Sequence, residues 1–186
     1  IIAGAPADIF LSAAPEWMDA VDQAGLLVPG TRANLWGNRL VILAAGPVAD
    51  VLTPAGLAVA LGDGWLAMGH VDSVPAGIYG KAALETLGLW DGVAARVVQV
   101  DNVRVALGLV LRAEAALGVV YATDAMTEPA LTVAAVLPDG SHPPIIYPGA
   151  VLATGQVPDA AAAFLTYLAA PSGQAPFRAA GFLPPP

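Results

Sequence analysis

The sequence predicts an α/β protein built in two lobes, and three observations carry that reading. Short β-rich runs alternate with helical segments along the chain, the order expected of layered α/β units with mainly parallel sheets. The chain has 186 residues, 57 % hydrophobic and 12 % charged, which is enough apolar material for one or two such cores. Two apolar runs, residues 39–46 and 145–152, are placed as strands that cross between lobes. The helices after the second crossover then return to the lobe that began the chain. This divides the sequence into residues 1–40 with 148–186 and residues 41–147.

Taken in order, residues 7–14 (ADIFLSAA) read as a strand leaving a turn. Residues 15–27 (PEWMDAVDQAGLL) read as a helix, with Pro15 at its first position and Gly25 near its end. The run 39–46 is β-rich and closed by Gly46-Pro47. Residues 56–61 and 64–69 are short apolar segments, the first helical and the second strand-like. Residues 76–88 form a helix ended by Gly88, and residues 96–100 (RVVQV) a strand. A helix follows over 102–115, capped by Asp101 or Asn102. Residues 116–125 are a buried strand running into a loop and a short helix. Strands are expected over 131–138 and 145–154, helices over 158–171 and 172–182, and disorder at Pro184-Pro185-Pro186. The chain opens at Ile1 without a Met or a charged leader, and its natural N-terminus is expected upstream.

Composition excludes several functions. The net charge is −8 with seven Lys plus Arg and no basic cluster, so nucleic acid is not an expected partner. The absence of Cys removes disulfides, thiolate metal sites and Cys nucleophiles. The longest apolar stretch, 42–62, is interrupted by Pro47, Asp50 and Pro54 and is no membrane span. The acidic field repels anions at long range, so any bound anion must be held by local dipoles.

Ligands of open α/β sheets bind where strands end and helices begin. Two such junctions stand out, Val74-Pro75-Ala76-Gly77-Ile78-Tyr79 and Val100-Asp101-Asn102-Val103-Arg104. Each presents backbone N–H groups at the positive end of a helix, with small residues allowing close approach at the first. Tyr121, just past the apolar run 117–120, can aim its hydroxyl into the same crevice. Taken singly, each feature also fits an ordinary turn or a core-edge tyrosine. Asp63, His70 and Asp72 have metal-binding types but no compact metal spacing. His142 lies in a Pro-rich turn and reads as solvated. Ser12 has no nucleophile elbow around it. Asp8 reads as ordering the turn before its strand, and Arg104 as pairing with Asp101 or facing solvent.

The stretches AGAPADIFLSAAPEWMD, VPAGIYGKAALETLGLWD, DNVRVALGLVLRAEAALGVVYATDA and FLTYLAAPSGQAPFRAAGF, in this order and spacing, resemble the periplasmic molybdate-binding proteins of ABC uptake systems. The resemblance extends over essentially the whole chain. It implies a two-lobed periplasmic-binding-protein-like fold of type II, with crossover strands and a ligand cleft between the lobes. It implies a receptor for molybdate, and for tungstate, that delivers its ligand to a membrane permease. It further implies a monomer outside the cytoplasm, periplasmic or lipid-anchored, with no cofactor, no metal-cation ligands and no catalytic residues. The family's two backbone donors fall on Ala76 and Val103 and its hydroxyl donor on Tyr121.

This sequence departs from the family pattern in two places. Two Ser-bearing turns expected near the family's N-terminus have no counterpart, so the first lobe is expected to be N-terminally truncated. His70-Val71 stands where an Asn/Asp-Pro pair often precedes the Pro-Ala-Gly turn. Losing two hydroxyl donors is expected to cost about 3–6 kcal/mol, so the 186-residue chain is expected to bind weakly and a full-length form tightly. Two other functions fit the residues: an oxyanion-sensing domain of a regulator, and an enzyme using the helix-end site. The enzyme requires a positioned acid or base, for which His70, Asp72 and Asp124 are available without evident partners.

Overall fold

The computed structural model describes residues 1–48 and 50–185. The chain divides into two compact units, Ile1–Gly37 with Ile145–Pro186, and Asn38–Pro144. It passes from the first to the second at Gly37–Asn38 and back at Pro144–Ile145, so the apolar runs singled out in the sequence stand at the two passages. No helix among the described residues is long and apolar enough to cross a membrane.

The first unit is built on β8 (Ile146–Val151), which lies between β1 (Ile9–Leu11) and β2 (Ala33–Gly37) and is antiparallel to both. Alternation along β8 serves two cores, one on each sheet face. Val151 packs with Leu35, Trp36 and the inner faces of α7 (Pro158–Ala169) and α8 (Pro171–Ala179), where Trp36 stacks on Phe177 at 3.8 Å. Ala150 and Leu152 pack instead with Met18 and Val21 of α1 (Pro15–Gln23). The sequence reading assigns nothing to β2, and its register explains why. Asn34 pairs with Pro148 and Trp36 with Tyr147, which leaves Leu35 as a bulge beside a proline that has no N–H to donate. Leu35 and Trp36 are consequently both buried, and the apolar/polar alternation that identifies a strand is lost. At the C-terminus, Leu183 exchanges backbone hydrogen bonds of 2.9 and 3.0 Å with Gly37, so order extends to the proline run. Pro184 and Pro185 follow, and Pro186 lies outside the described residues.

The second unit holds a five-stranded sheet. Its elements in chain order are β3 (Leu40–Ala44), α2 (Pro54–Leu61), β4 (Leu66–Gly69), α3 (Pro75–Thr86), α4 (Trp90–Val93), β5 (Val97–Val100), α5 (Val103–Leu111), β6 (Leu117–Tyr121), α6 (Ala122–Ala125) and β7 (Thr132–Val136). The strand order is β5-β4-β6-β3-β7. β4 pairs parallel with β5 and β6, whereas β3 pairs antiparallel with β6 and β7. The expectation of mainly parallel sheets is therefore corrected: the first unit is wholly antiparallel and the second mixed. Parallel neighbours need a crossover of about a dozen residues. Long helical connections join β3 to β4, β4 to β5 and β5 to β6, while β6 reaches β7 through the single turn of α6.

The sheet is covered on both faces. Ala67 and Val120 face α5 through Ala106, Leu107 and Val110, while Met68 and Val119 lie against Gly80 of α3. The helix predicted over 102–115 stops at Leu111, because Ala113 turns left-handed (φ 56°) and Glu114 N–H returns to the Leu109 carbonyl at 2.9 Å. The start of α3 is pressed onto the end of β4. A Cβ on Gly77 would overlap the carbonyls of Gly69 and His70, so glycine is required there by close approach.

Gly77→Ala is expected to destabilise the protein by about 1–3 kcal/mol through this overlap. Gly92→Ala, in α4 with open space around it, is expected to stabilise by about 0.4–1 kcal/mol. Urea unfolding of the two variants checks the contrast, and equal midpoints would contradict it.

Candidate functional site

The site candidates Ala76, Val103 and Tyr121 all belong to the second unit, and its parallel strands bring their junctions to one edge. Gly69 pairs with Val100 and Ala67 with Gly118, so β4, β5 and β6 end within a residue of the same level. With strands about 4.8 Å apart, three chain ends fall within a span of about 10 Å. Alternation puts Tyr121 on the same sheet face as Val119, the α3 face, and α5 lies on the other.

At the first junction, Val74 caps α3 in an extended conformation (φ −93°, ψ 125°) with no side-chain cap. Its carbonyl accepts both Gly77 N–H at 2.8 Å and Ile78 N–H at 2.9 Å. Pro75 has no N–H. Among the described residues, the Ala76 N–H is therefore the amide of this turn that no carbonyl engages, and Ala76 is buried, at 1 % exposure. An unengaged amide at a buried helix start calls for an acceptor. At the second junction Asn102 is the cap, its Oδ1 accepting Val105 N–H at 3.0 Å while its carbonyl accepts Ala106 N–H at 3.3 Å. The amides of Val103 and Arg104 are left at the helix end. At the third junction Tyr121 is the last residue of β6 and caps α6, with its ring buried.

Two side-chain pairs stand at this edge, His70 with Asp101 and Arg104 with Asp124. His70 Nε2 lies 3.3 Å from Asp101 Oδ1, and the Val71 N–H donates to Gln99 Oε1 at 2.9 Å, which ties the turn after β4 to β5 and its exit. Arg104 does not pair with Asp101 or stand free. Its Nε donates to Asp124 Oδ1 at 2.7 Å. The separation of 20 residues hid this partner from a local reading, and no periodic signal marks Asp124 in the sequence. Asn38 Nδ2 donates to Thr123 Oγ1 at 3.0 Å, a second tie to α6 that sequence reasoning missed.

The other candidates fall elsewhere. Ser12 Oγ donates to the Ala14 carbonyl at 2.7 Å, a local turn contact in the first unit. Asp8 Oδ1 accepts from Gln156 N–H at 2.5 Å and Val157 N–H at 2.9 Å, so it orders the loop entering α7 and not the turn before its own strand. His142 is half-buried and not simply solvated: its ring lies 6.0 Å from that of Tyr79, and its Nδ1 is 2.7 Å from the Pro143 carbonyl. Among the described residues, no three His, Asp or Glu side chains gather as a cation site.

Burial pushes the Asp124 carboxyl above the ordinary aspartate range, while the Arg104 charge and hydrogen bonds from the Tyr121 backbone and Arg104 oppose the shift. A carboxyl raised in the folded state contributes stability that is fully present below its unfolded pKa and is lost as pH rises through the raised value. The stability of the wild type relative to Asp124→Asn is therefore expected to fall as pH rises from the ordinary aspartate range through the raised value. Urea unfolding across that range checks the sign, and a rising difference would reverse it.

Residues 1–183 match the family profile of bacterial extracellular solute-binding proteins. The molybdate-binding protein ModA of Escherichia coli is 40 % identical over 98 % of this chain and 72 % of its own length. ModA of Haemophilus influenzae is 42 % identical over 80 % of this chain and 60 % of its own length. The solved periplasmic molybdate-binding protein of Azotobacter vinelandii superposes with a TM-score of 0.83 at 26 % identity, covering 100 % of this chain and 81 % of that one. With strand-end junctions of this kind and a profile match over nearly its whole length, the chain belongs to the bacterial extracellular solute-binding proteins, a family that binds its solute and does not transform it.

Proposed function

We propose that this chain is an extracytoplasmic receptor for molybdate, and also for tungstate, serving an ABC-type uptake permease as a monomer. The observation that carries the reading is the common level at which β4, β5 and β6 end, and it supports assigning the ligand donors to the junctions that follow them: the Ala76 amide, the Val103 amide and the Tyr121 hydroxyl. The two units serve as its lobes. The names of its ModA relatives support the choice of molybdate.

A tetrahedral dianion suits such donors. Each helix end contributes about 0.3–2 kcal/mol to a nearby anion. Each charge-assisted hydrogen bond adds about 1.5–3 kcal/mol. Micromolar binding needs about 8 kcal/mol, so these donors account for much of it and further donors complete the shell.

The test is a titration of the full-length gene product with molybdate, followed by Trp fluorescence, with sulfate and phosphate as controls. Saturable binding selective for molybdate supports the reading, and no response to any oxyanion sinks it. Tyr121→Phe removes only the hydroxyl and is expected to weaken binding by about 10- to 100-fold. Val103→Pro is the cleaner probe of a backbone donor. Position 103 opens α5 behind an extended Asn102 (φ −160°, ψ 164°), where the proline backbone is accommodated and the N–H is lost, with Val103→Ala as the control for the side chain's packing. Binding is expected to drop about tenfold with the melting temperature held, and unchanged affinity would remove Val103 from the site. Because the net charge is −8, molybdate association is expected to accelerate as salt rises, which stopped-flow mixing over a salt series measures.

A further inference from the structure

Asp124 is the one charged side chain that is buried among the described residues, at 4 % exposure. It stands three residues beyond Tyr121, in the turn that β6 feeds. A buried carboxylate is out of place beside an anion site, since it repels the ligand and is costly to desolvate. Its partner answers both objections. Arg104, next to Val103 in the first turn of α5, reaches it at 2.7 Å, and the Tyr121 backbone also donates to it. The pair thus spans two of the three donor junctions. The other carboxylates at this edge, Asp72 and Asp101, and the His70 ring are exposed and screened by solvent.

We propose that the Arg104–Asp124 ion pair is the positioning device of the oxyanion site: it fixes the Val103 turn against the Tyr121 junction and cancels a buried carboxylate beside the anion. This rests on the oxyanion-receptor reading above. Neither side chain needs to touch the ligand. Arg104 is a positioning residue whose charge is already engaged, so the dianion meets neutral donors.

Molybdate titrations of the full-length gene product compare wild type, Arg104→Lys, Arg104→Gln and the double variant Arg104→Gln/Asp124→Asn, with a thermal melt of each. Arg104→Gln leaves the carboxylate uncompensated and is expected to weaken binding by about tenfold or more. The double variant removes the orphaned charge and is expected to recover at least about threefold of that loss, while Arg104→Lys stays within about threefold of wild type. A pair with a merely structural role would lower the melting temperature of Arg104→Gln and leave the affinity of the folded protein unchanged. That result, or a double variant no better than Arg104→Gln, overturns the proposal. Should Arg104→Gln not fold, Arg104→Lys decides, a tenfold loss counting against the pair and near-wild-type affinity for it. Wild type that binds no oxyanion fails the receptor reading itself, independently of the variant ranking, and takes this inference with it.

Discussion

The parallel pairing of β4 with both β5 and β6 sets Leu66 against Val97 and Leu117, and that register brings three chain ends to one level. The rest of the candidate site follows from it. A helix leaves β4 through His70–Val74 and another leaves β5 through Asp101-Asn102, while β6 delivers Tyr121 directly. A one-residue slip of β6 would carry Tyr121 to the other sheet face and bring Val120 into its place. The burial of β3 and β6 along their entire length makes that slip expensive, since every position of both strands packs into a core. The apolar middle of the sheet therefore protects the geometry of its polar edge.

Electrostatics at that edge follow a consistent pattern. The chain carries eight net negative charges and few cations, and Arg104 at the second junction is already engaged by Asp124. On the proposed reading, a ligand meets partial charges fixed in the backbone and the Tyr121 hydroxyl. Such donors are small and point in set directions, and they need no counterion when the site is empty. A lysine or arginine would attract any anion at a distance. Fixed amides instead reward the one whose oxygens reach all of them, so selectivity rests on shape.

The sequence made the helix starts legible and left the pairing of strands obscure. Pro75 and Asn102 announce α3 and α5 because capping is local chemistry, written within four residues. The same locality marked Ala76 and Val103 as candidates. β2 was not readable, since its bulge at Leu35 breaks the alternation that a strand is recognised by. The antiparallel placement of β3 between β6 and β7 was not readable either, because it is decided by which apolar faces meet across long stretches of chain. Arg104 illustrates the same limit at one residue. Its local neighbour Asp101 offered a partner at i−3, and the fold gave Asp101 to His70 and Arg104 to Asp124.

The bare start of α3 has a physical sense within this arrangement. Val74 carries no capping side chain, and its one carbonyl takes up two amides, of Gly77 and Ile78. Pro75 subtracts a third donor and leaves Ala76 N–H as the single amide facing the turn. A capping serine or aspartate at position 74 would supply an acceptor to the first-turn amides and compete for Ala76 N–H. Glycine at 77 lets the helix sit close enough to Gly69 and His70 that the amide is held against the sheet edge and not in open solvent. What looks like missing chemistry in the sequence is thus a set of exclusions, each removing a competitor for one hydrogen bond. If the proposed site is made this way, it is written in the residues that stay out of it, and a search for reactive side chains passes over it.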